Sequence, residues 1–453
     1  MGNPRSMTMG NRLVSKFARI AFLMLVAAAA GIAQEAAKLD PKTVIRRVEL
    51  QGNRHVKVDE GQFAQGAFNF NSPDAWLFID GVPPSKVLDG QMKRLFVTYE
   101  PAVDGANVRV VAHGDGSVVI PHGPKFPALT LFSGKSFLGA PVIVRAHEKP
   151  QAAALGEVRS FRLRRGYMAT LAQKADGTGI SRNYVAQDQD IEVRSLPSGL
   201  DEGVAFVRVF PWRWTGKKGI AGNIWQKLDV DWYYDWNIGG RTSPDIEYLP
   251  IRQNRWWPGL KHDWKQKGSV HLLGFNEPDR PDQANMKVDE AIQAWPELLK
   301  TGLRLGSPAV SDGGLKWLYE FMEKADKKKL RVDFIAVHYY RAVGDPGNGR
   351  AAAAQMKAFL EDIHKRTKRP IWITEWNNGA NWTKARDPND REQRRAIQAM
   401  IDMLDDTDYV ERYSLYNWVE DSRMLQRKDG SLTPAGETYR DQRAPIAYQQ
   451  EKP

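Results

Sequence analysis

The 453-residue sequence predicts a C-terminal (β/α)8 TIM barrel preceded by all-β modules. Three observations carry that expectation. After position 203, strand-like and helix-like patterns alternate to position 443. Before it, short β-rich runs separated by Gly, Pro, Asn and Asp dominate, and no long helical pattern interrupts them. The first residues carry the layout of an export signal rather than that of a folded element.

Taken in order, Arg12, Lys16 and Arg19 lead into an apolar run over 20–30, and the small residues Gly31 and Ala33 follow it. Basic, apolar and small-x-small segments in that order predict a signal over 1–33, a mature start near Gln34 and a secreted or periplasmic protein. The run is short for a membrane span, which leaves an uncleaved anchor as the alternative.

The 39–127 segment offers β-rich runs at 44–50, Phe68–Phe70, Trp76–Ile79 and 108–111. It predicts an antiparallel, sandwich-like module with no chemistry of its own.

Over 128–202, Phe132 and Phe137 stand five apart, with Gly139 two further on. A Gly at that offset permits a folded hairpin at positive φ beneath the aromatic ring. A second half starts near Arg165, and the pattern at 158–163 returns at 204–209. This arrangement resembles a βγ-crystallin domain of two Greek-key motifs. The calcium positions of that family hold paired Asn/Asp followed by hydroxyl residues. Here they read Leu155-Gly156-Glu157-Val158-Arg159-Ser160 and Asp201-Glu202-Gly203-Val204-Ala205-Phe206. Too few oxygen donors remain, so calcium is not expected there. The 204–209 run fits either this module or a first barrel strand.

Eight strands are expected at 204–214, 230–237, 246–254, 270–276, 303–307, 332–340, 370–376 and 410–418. Helices are expected at 289–303, Leu315–Lys327, 351–366 and Asp390–Asp405. A doubly wound sheet is the alternative, but no Gly-rich phosphate loop supports it.

Composition narrows the function. The net charge is +11, yet basic residues interleave with carboxylates and no recognition motif accompanies them, so nucleic acid is not an expected partner. The absence of Cys excludes disulfides, thiolate metal sites and a Cys nucleophile. No His/Asp cluster has ligand spacing, and no cofactor is implied. The 15 Trp concentrate after position 211.

Barrel active sites form where strands end. The fourth strand ends in Leu272-Leu273-Gly274-Phe275-Asn276-Glu277-Pro278-Asp279 and the seventh in Pro370-Ile371-Trp372-Ile373-Thr374-Glu375-Trp376. A carboxylate closing an apolar run is costly unless it is solvated, paired or used. Two such groups facing each other are what glycoside hydrolysis needs.

Those two segments, with 333–340 (Asp-Phe-Ile-Ala-Val-His-Tyr-Tyr) and 230–237 (Val-Asp-Trp-Tyr-Tyr-Asp-Trp-Asn), resemble clan A glycoside hydrolases, and among them family 128, the β-1,3-glucanase family. The resemblance implies a retaining endo-β-1,3-glucanase. Glu277 would be the acid/base, Glu375 the nucleophile, and Asn276 the partner of the sugar 2-hydroxyl. His338 and Tyr340 would orient Glu375 or bind sugar. Trp212, Trp214, Tyr233, Trp236, Trp256, Trp257, Trp376, Trp382 and Trp418 fall at or beyond strand ends, and about half are expected to stack on the substrate β-glucan. The alternatives are a clan A hydrolase of another polysaccharide, such as an algal galactan, and a non-catalytic carbohydrate-binding protein.

Overall fold

The computed structural model describes residues 37–38, 47–123 and 126–448. The candidate signal, 1–33, lies outside the described residues. Among the described residues no helix is long and apolar enough to cross a membrane.

The first module differs from the antiparallel sandwich expected of it. Val48–Leu50, Phe68–Phe70 and Leu95–Val97 pair in parallel, and so do His55–Val58 and Trp76–Ile79. Parallel partners need a crossover. Here it runs through helix Glu60–Gln65, whose Asp59 and Gln62 form a reciprocal capping box. That Asp-x-x-Gln signature marks the helix start. Two sheets enclose a core that includes Leu50, Phe63, Phe68 and Leu77.

The second module is antiparallel. Leu129–Phe132, Pro141–Val144, Ser160–Leu163 and Ile191–Val193 form one sheet. Tyr167–Ala172 lies between Ser181–Ala186 and Phe206–Pro211 in the other. Ile191–Val193 therefore crosses from the second half to the sheet of the first. The 204–214 run is corrected here: it supplies Phe206–Pro211, paired over its full length to Tyr167–Ala172, and is not the first strand of the C-terminal sheet. Its alternating apolar pattern suits any half-buried strand, so the partner decided its place.

The C-terminal region holds eight parallel strands: β1 (Lys218–Ala221), β2 (Trp232–Tyr234), β3 (Glu247–Tyr248), β4 (His271–Leu272), β5 (Arg304–Leu305), β6 (Ile335–Tyr339), β7 (Ile371–Trp376) and β8 (Val410–Tyr416). Six of them run β3-β2-β1-β8-β7-β6, and β4 pairs with β5. Single parallel bridges at Ile251–Leu273 and Gly306–Phe334 join the two runs into a closed ring. Gly219 makes β1 possible, because a Cβ there would stand 2.2 Å from the Trp232 ring.

Inside the ring, Ala221, Trp232, Tyr234, Leu249, Leu273, Phe334 and Trp372 pack together. Phe334 and Trp372 stack with centroids 4.0 Å apart. Outside it lie Val288–Leu299, Leu315–Lys327, Gly349–Thr367 and Asp390–Asp405, close to the helices expected. Val288, Ala291, Ile292, Trp295, Leu298 and Leu299 are buried at helical spacing, the stripe that turns a surface helix onto a sheet. Asn389 and Glu392 cap the start of Asp390–Asp405 reciprocally, which fixes where that helix leaves the loop after β7.

Candidate active site

Beyond β4 the backbone is drawn tightly against its neighbour. A Cβ on Gly274 would stand 2.7 Å from Ser307 O and 2.8 Å from Gly306 O, so only Gly permits this approach. Asn276 bridges to Ala309, and Glu277 N donates to Ala309 O at 2.7 Å. Glu277 then adopts φ +39°, in the left-handed region, directly before Pro278. Both features are unfavourable for such a residue, and strain of this kind persists only where surrounding bonds over-determine it. Asp279 supplies some of them, accepting from Ser311 N at 3.0 Å and from Ser311 Oγ.

Glu375 reaches the same place by a different device. Trp372 faces the ring interior, so strict alternation would send Thr374 inward and Glu375 outward. The ladder instead pairs Val337 with Ile373 and His338 with Glu375, leaving Thr374 unpaired. This bulge shifts the phase by one residue. Glu375 then takes donors from three inward-facing side chains. Tyr340 OH donates to Oε2 at 2.6 Å, Tyr234 OH to Oε1 at 3.0 Å and Trp236 Nε1 to Oε1 at 2.8 Å.

His338 lies between the carboxylates. Its Nδ1 is 2.9 Å from Glu277 Oε1 and 3.6 Å from Glu375 Oε2. The two oxygens are thus at most 6.5 Å apart, the sum of those distances. Burial disfavours the charged imidazole, but Glu375 and Glu277 outweigh it and raise its pKa. Burial and the Glu375 charge hold the Tyr234 and Tyr340 hydroxyls well above their ordinary pKa, so both stay protonated donors. Asn276 is buried, with Nδ2 donating to Gln283 Oε1 at 3.2 Å and Oδ1 unpartnered among the described residues.

The aromatics divide sharply. Trp236 sits against Glu375, and Trp418 packs on Trp236 and Tyr416 at 6.2 and 5.7 Å. Trp382 meets Tyr340 edge-on at 5.0 Å and is 60% exposed. Trp256 and Trp257 are exposed on the loop after β3, with both backbone N–H groups donating to Asn254 Oδ1.

Four expectations are corrected. Trp212 is buried against His271 and Tyr448, at the opposite end of the ring. Trp214 is buried against Trp76 of the first module and donates to Asp188. Both followed from placing the first strand at 204–214. Tyr233 faces outward onto Trp225 and Tyr248. Trp376, just past the bulge, is buried among the outer layer beside Tyr413 and Tyr439.

The family model described as glycosyl hydrolase catalytic core matches residues 210–439, half of the chain. The chain belongs to the glycosyl hydrolase catalytic core family. Its catalytic core is therefore that of a glycoside hydrolase. Among curated proteins it is similar to alkali-sensitive linkage protein 1 of Schizosaccharomyces pombe, 28% identical over 249 residues, covering 50% of this chain and 44% of that one. The chain thus spans less than half of that relative. Among solved structures it is similar to a family 128 (subgroup I) endo-β-1,3-glucanase of Amycolatopsis mediterranei in complex with laminaritriose. That likeness has 31% identity, 50% and 98% coverage and a TM-score of 0.44. It is also similar to a subgroup V exo-β-1,3-glucanase of Cryptococcus neoformans (23%, 50% and 98%, 0.42). A third is a subgroup VII oligosaccharide-binding protein of Trichoderma gamsii (20%, 49% and 92%, 0.38).

Within this catalytic core, sequence reasoning missed Tyr234 and Tyr416. On β2, Trp232, Tyr234 and Trp236 share the inward face, so period-2 spacing from Trp236 already marks Tyr234 rather than Tyr233. Tyr416 ends β8 and packs on Tyr340 and Trp236.

Proposed function

We propose that this chain is an endo-acting, retaining β-1,3-glucanase on a (β/α)8 barrel. The carrying observation is the pair of carboxylates within 6.5 Å at the ends of β4 and β7. Retaining hydrolysis uses carboxyl groups about 5–5.5 Å apart, whereas inverting enzymes need about 6.5–9.5 Å for an intervening water.

Glu375 suits the nucleophile. Three donors fix its orientation and stabilise its negative charge. It attacks the anomeric carbon while Glu277 gives its proton to the departing oxygen. Glu277 then takes a proton from the water that releases the glycosyl-enzyme. In this reading Asn276, whose Oδ1 is buried and unpartnered among the described residues, binds a sugar hydroxyl beside the acid/base.

The substrate class rests on the motifs that resemble family 128. The exposed indoles Trp257, Trp382 and Trp418 extend the site over the loops after β3, β7 and β8, a span suited to several sugar rings of one polymer. We also read the second module as a βγ-crystallin-like double Greek key, supported by the crossing of Ile191–Val193 between its sheets.

The test is Glu375→Gln in the full chain, assayed on laminarin, curdlan, agarose and xylan with the products sized. Laminarin or curdlan fragments are expected from the parent, with turnover lower by about 10³-fold or more in the variant. An equally active variant would remove Glu375 as nucleophile, and cleavage of agarose or xylan alone would remove β-1,3-glucan.

A further inference from the structure

A second cavity, of about 440 Å³, lies where the two N-terminal modules meet the starts of β3 and β4. It is at the end of the ring opposite Glu277 and Glu375. Its lining is basic: Arg109, Arg213 and Lys265 carry charge, His122 and His147 add imidazoles, and Asp104 is the one carboxylate among the lining residues.

Carboxylates act on these cations only from a distance, Asp104 on Arg109 and Glu247 and Asp245 on Arg213. Among the described residues, no ion pair joins Arg109, Arg213 or Lys265 to a carboxylate. Arg109 is 9% exposed and donates to two backbone carbonyls, Trp212 O and Gly166 O, each at 2.8 Å. Arg213 donates to Pro244 O at 2.9 Å. The Nε atoms of both and His147 Nδ1 are buried without a partner among the described residues. Asp104 accepts from Val110 N at 2.8 Å, and its charge offsets only part of the burial of Arg109.

The groups act on one another. Burial, with Arg109 and Lys265 among the nearby cations, pulls His122 and His147 down to about 4. Burial also lowers Arg109 to about 10, with Arg213 adding to the effect. Gathering guanidinium groups with unpartnered Nε atoms around one cavity is costly unless an anion offsets their charge. Guanidinium forks fit planar or tetrahedral oxyanions. We propose that this cavity binds a small oxyanion, a carboxylate, sulfate or phosphate group, separately from the carboxylate site.

The experiment is calorimetric titration of the full chain with inorganic phosphate at low ionic strength, with sodium chloride as the control. Saturable binding at one site per chain is expected. Arg213→Gln should weaken it about tenfold or more, the loss of a charge-assisted hydrogen bond. Lys265 is exposed, so Lys265→Ala keeps the test open if Arg213→Gln does not fold, and it should weaken binding about threefold through lost charge alone. Glu375→Gln should bind phosphate as the parent does. Parallel titrations with acetate and glucuronate separate the sources: tighter glucuronate assigns a sugar acid, and equal affinities assign a free ion. Absence of saturable binding for all three anions, or affinity unchanged in Lys265→Ala and in any folded Arg213→Gln, overturns the proposal.

Discussion

The Nδ1 atom of His338 approaches both site carboxylates, at 2.9 Å from Glu277 and 3.6 Å from Glu375. One buried imidazole thus sits between the two carboxyl groups, and both favour its protonated form. That relationship has a measurable pH signature. The pKa of His338 is raised above its ordinary 6.5 in the fold. The stabilisation it contributes is complete below 6.5 and fades as pH climbs through the raised value. The melting temperature of the parent, relative to His338→Gln, is expected to fall across that window. A difference that stays flat from about pH 5.5 to about pH 9 would refute the charged imidazole.

Tyr340→Phe removes the shortest of the three bonds to Glu375 while keeping the ring. A hydrogen bond to a charged group contributes about 1.5–3 kcal/mol, so kcat should drop roughly 10- to 100-fold with little change in KM. Tyr339→Phe is the control, since that hydroxyl faces outward to Gln355. Equal losses in the two variants would show that the effect is packing and not the Glu375 contact.

Trp382→Ala and Trp376→Ala should fail in different ways. Trp382 is exposed beside Tyr340, so its loss should raise KM for long glucans about tenfold and leave the melting temperature near the parent's. Trp376 is fully buried, and truncation there should cost about 3–5 kcal/mol in denaturant unfolding. A stable Trp376→Ala with raised KM would restore Trp376 to the sugar site.

Gly274→Ala tests the close approach that positions Glu277. The added methyl meets backbone oxygens rather than a flexible side chain. The strands must separate, at about 1–3 kcal/mol. Reduced unfolding free energy with a parallel loss of kcat is expected. An unchanged kcat would mean that Glu277 is held by its own loop and not by the β4–β5 contact.

The sequence by itself determined the parts that are local. Amphipathic stripes predicted the four long helices, and apolar runs stopping at Glu277 and Glu375 predicted the carboxylate pair. Strand ends also marked His338, Tyr340 and Trp236 as candidates, and the structure bonds His338 to Glu277 and the other two to Glu375. Tertiary structure alone decided the partners. Phe206–Pro211 is as good a strand for one sheet as for another, and pairing with Tyr167–Ala172 took it, with Trp212 and Trp214, away from the ring. Parallel pairing in the first module likewise depends on which strands meet, not on their own residues. The unpaired Thr374 is the sharpest instance. Counting by twos turns Glu375 away from the interior, and only the ladder with β6 shows the extra residue that turns it in and Trp376 out. Side-chain period is written in the chain, but register is a property of two chain segments together.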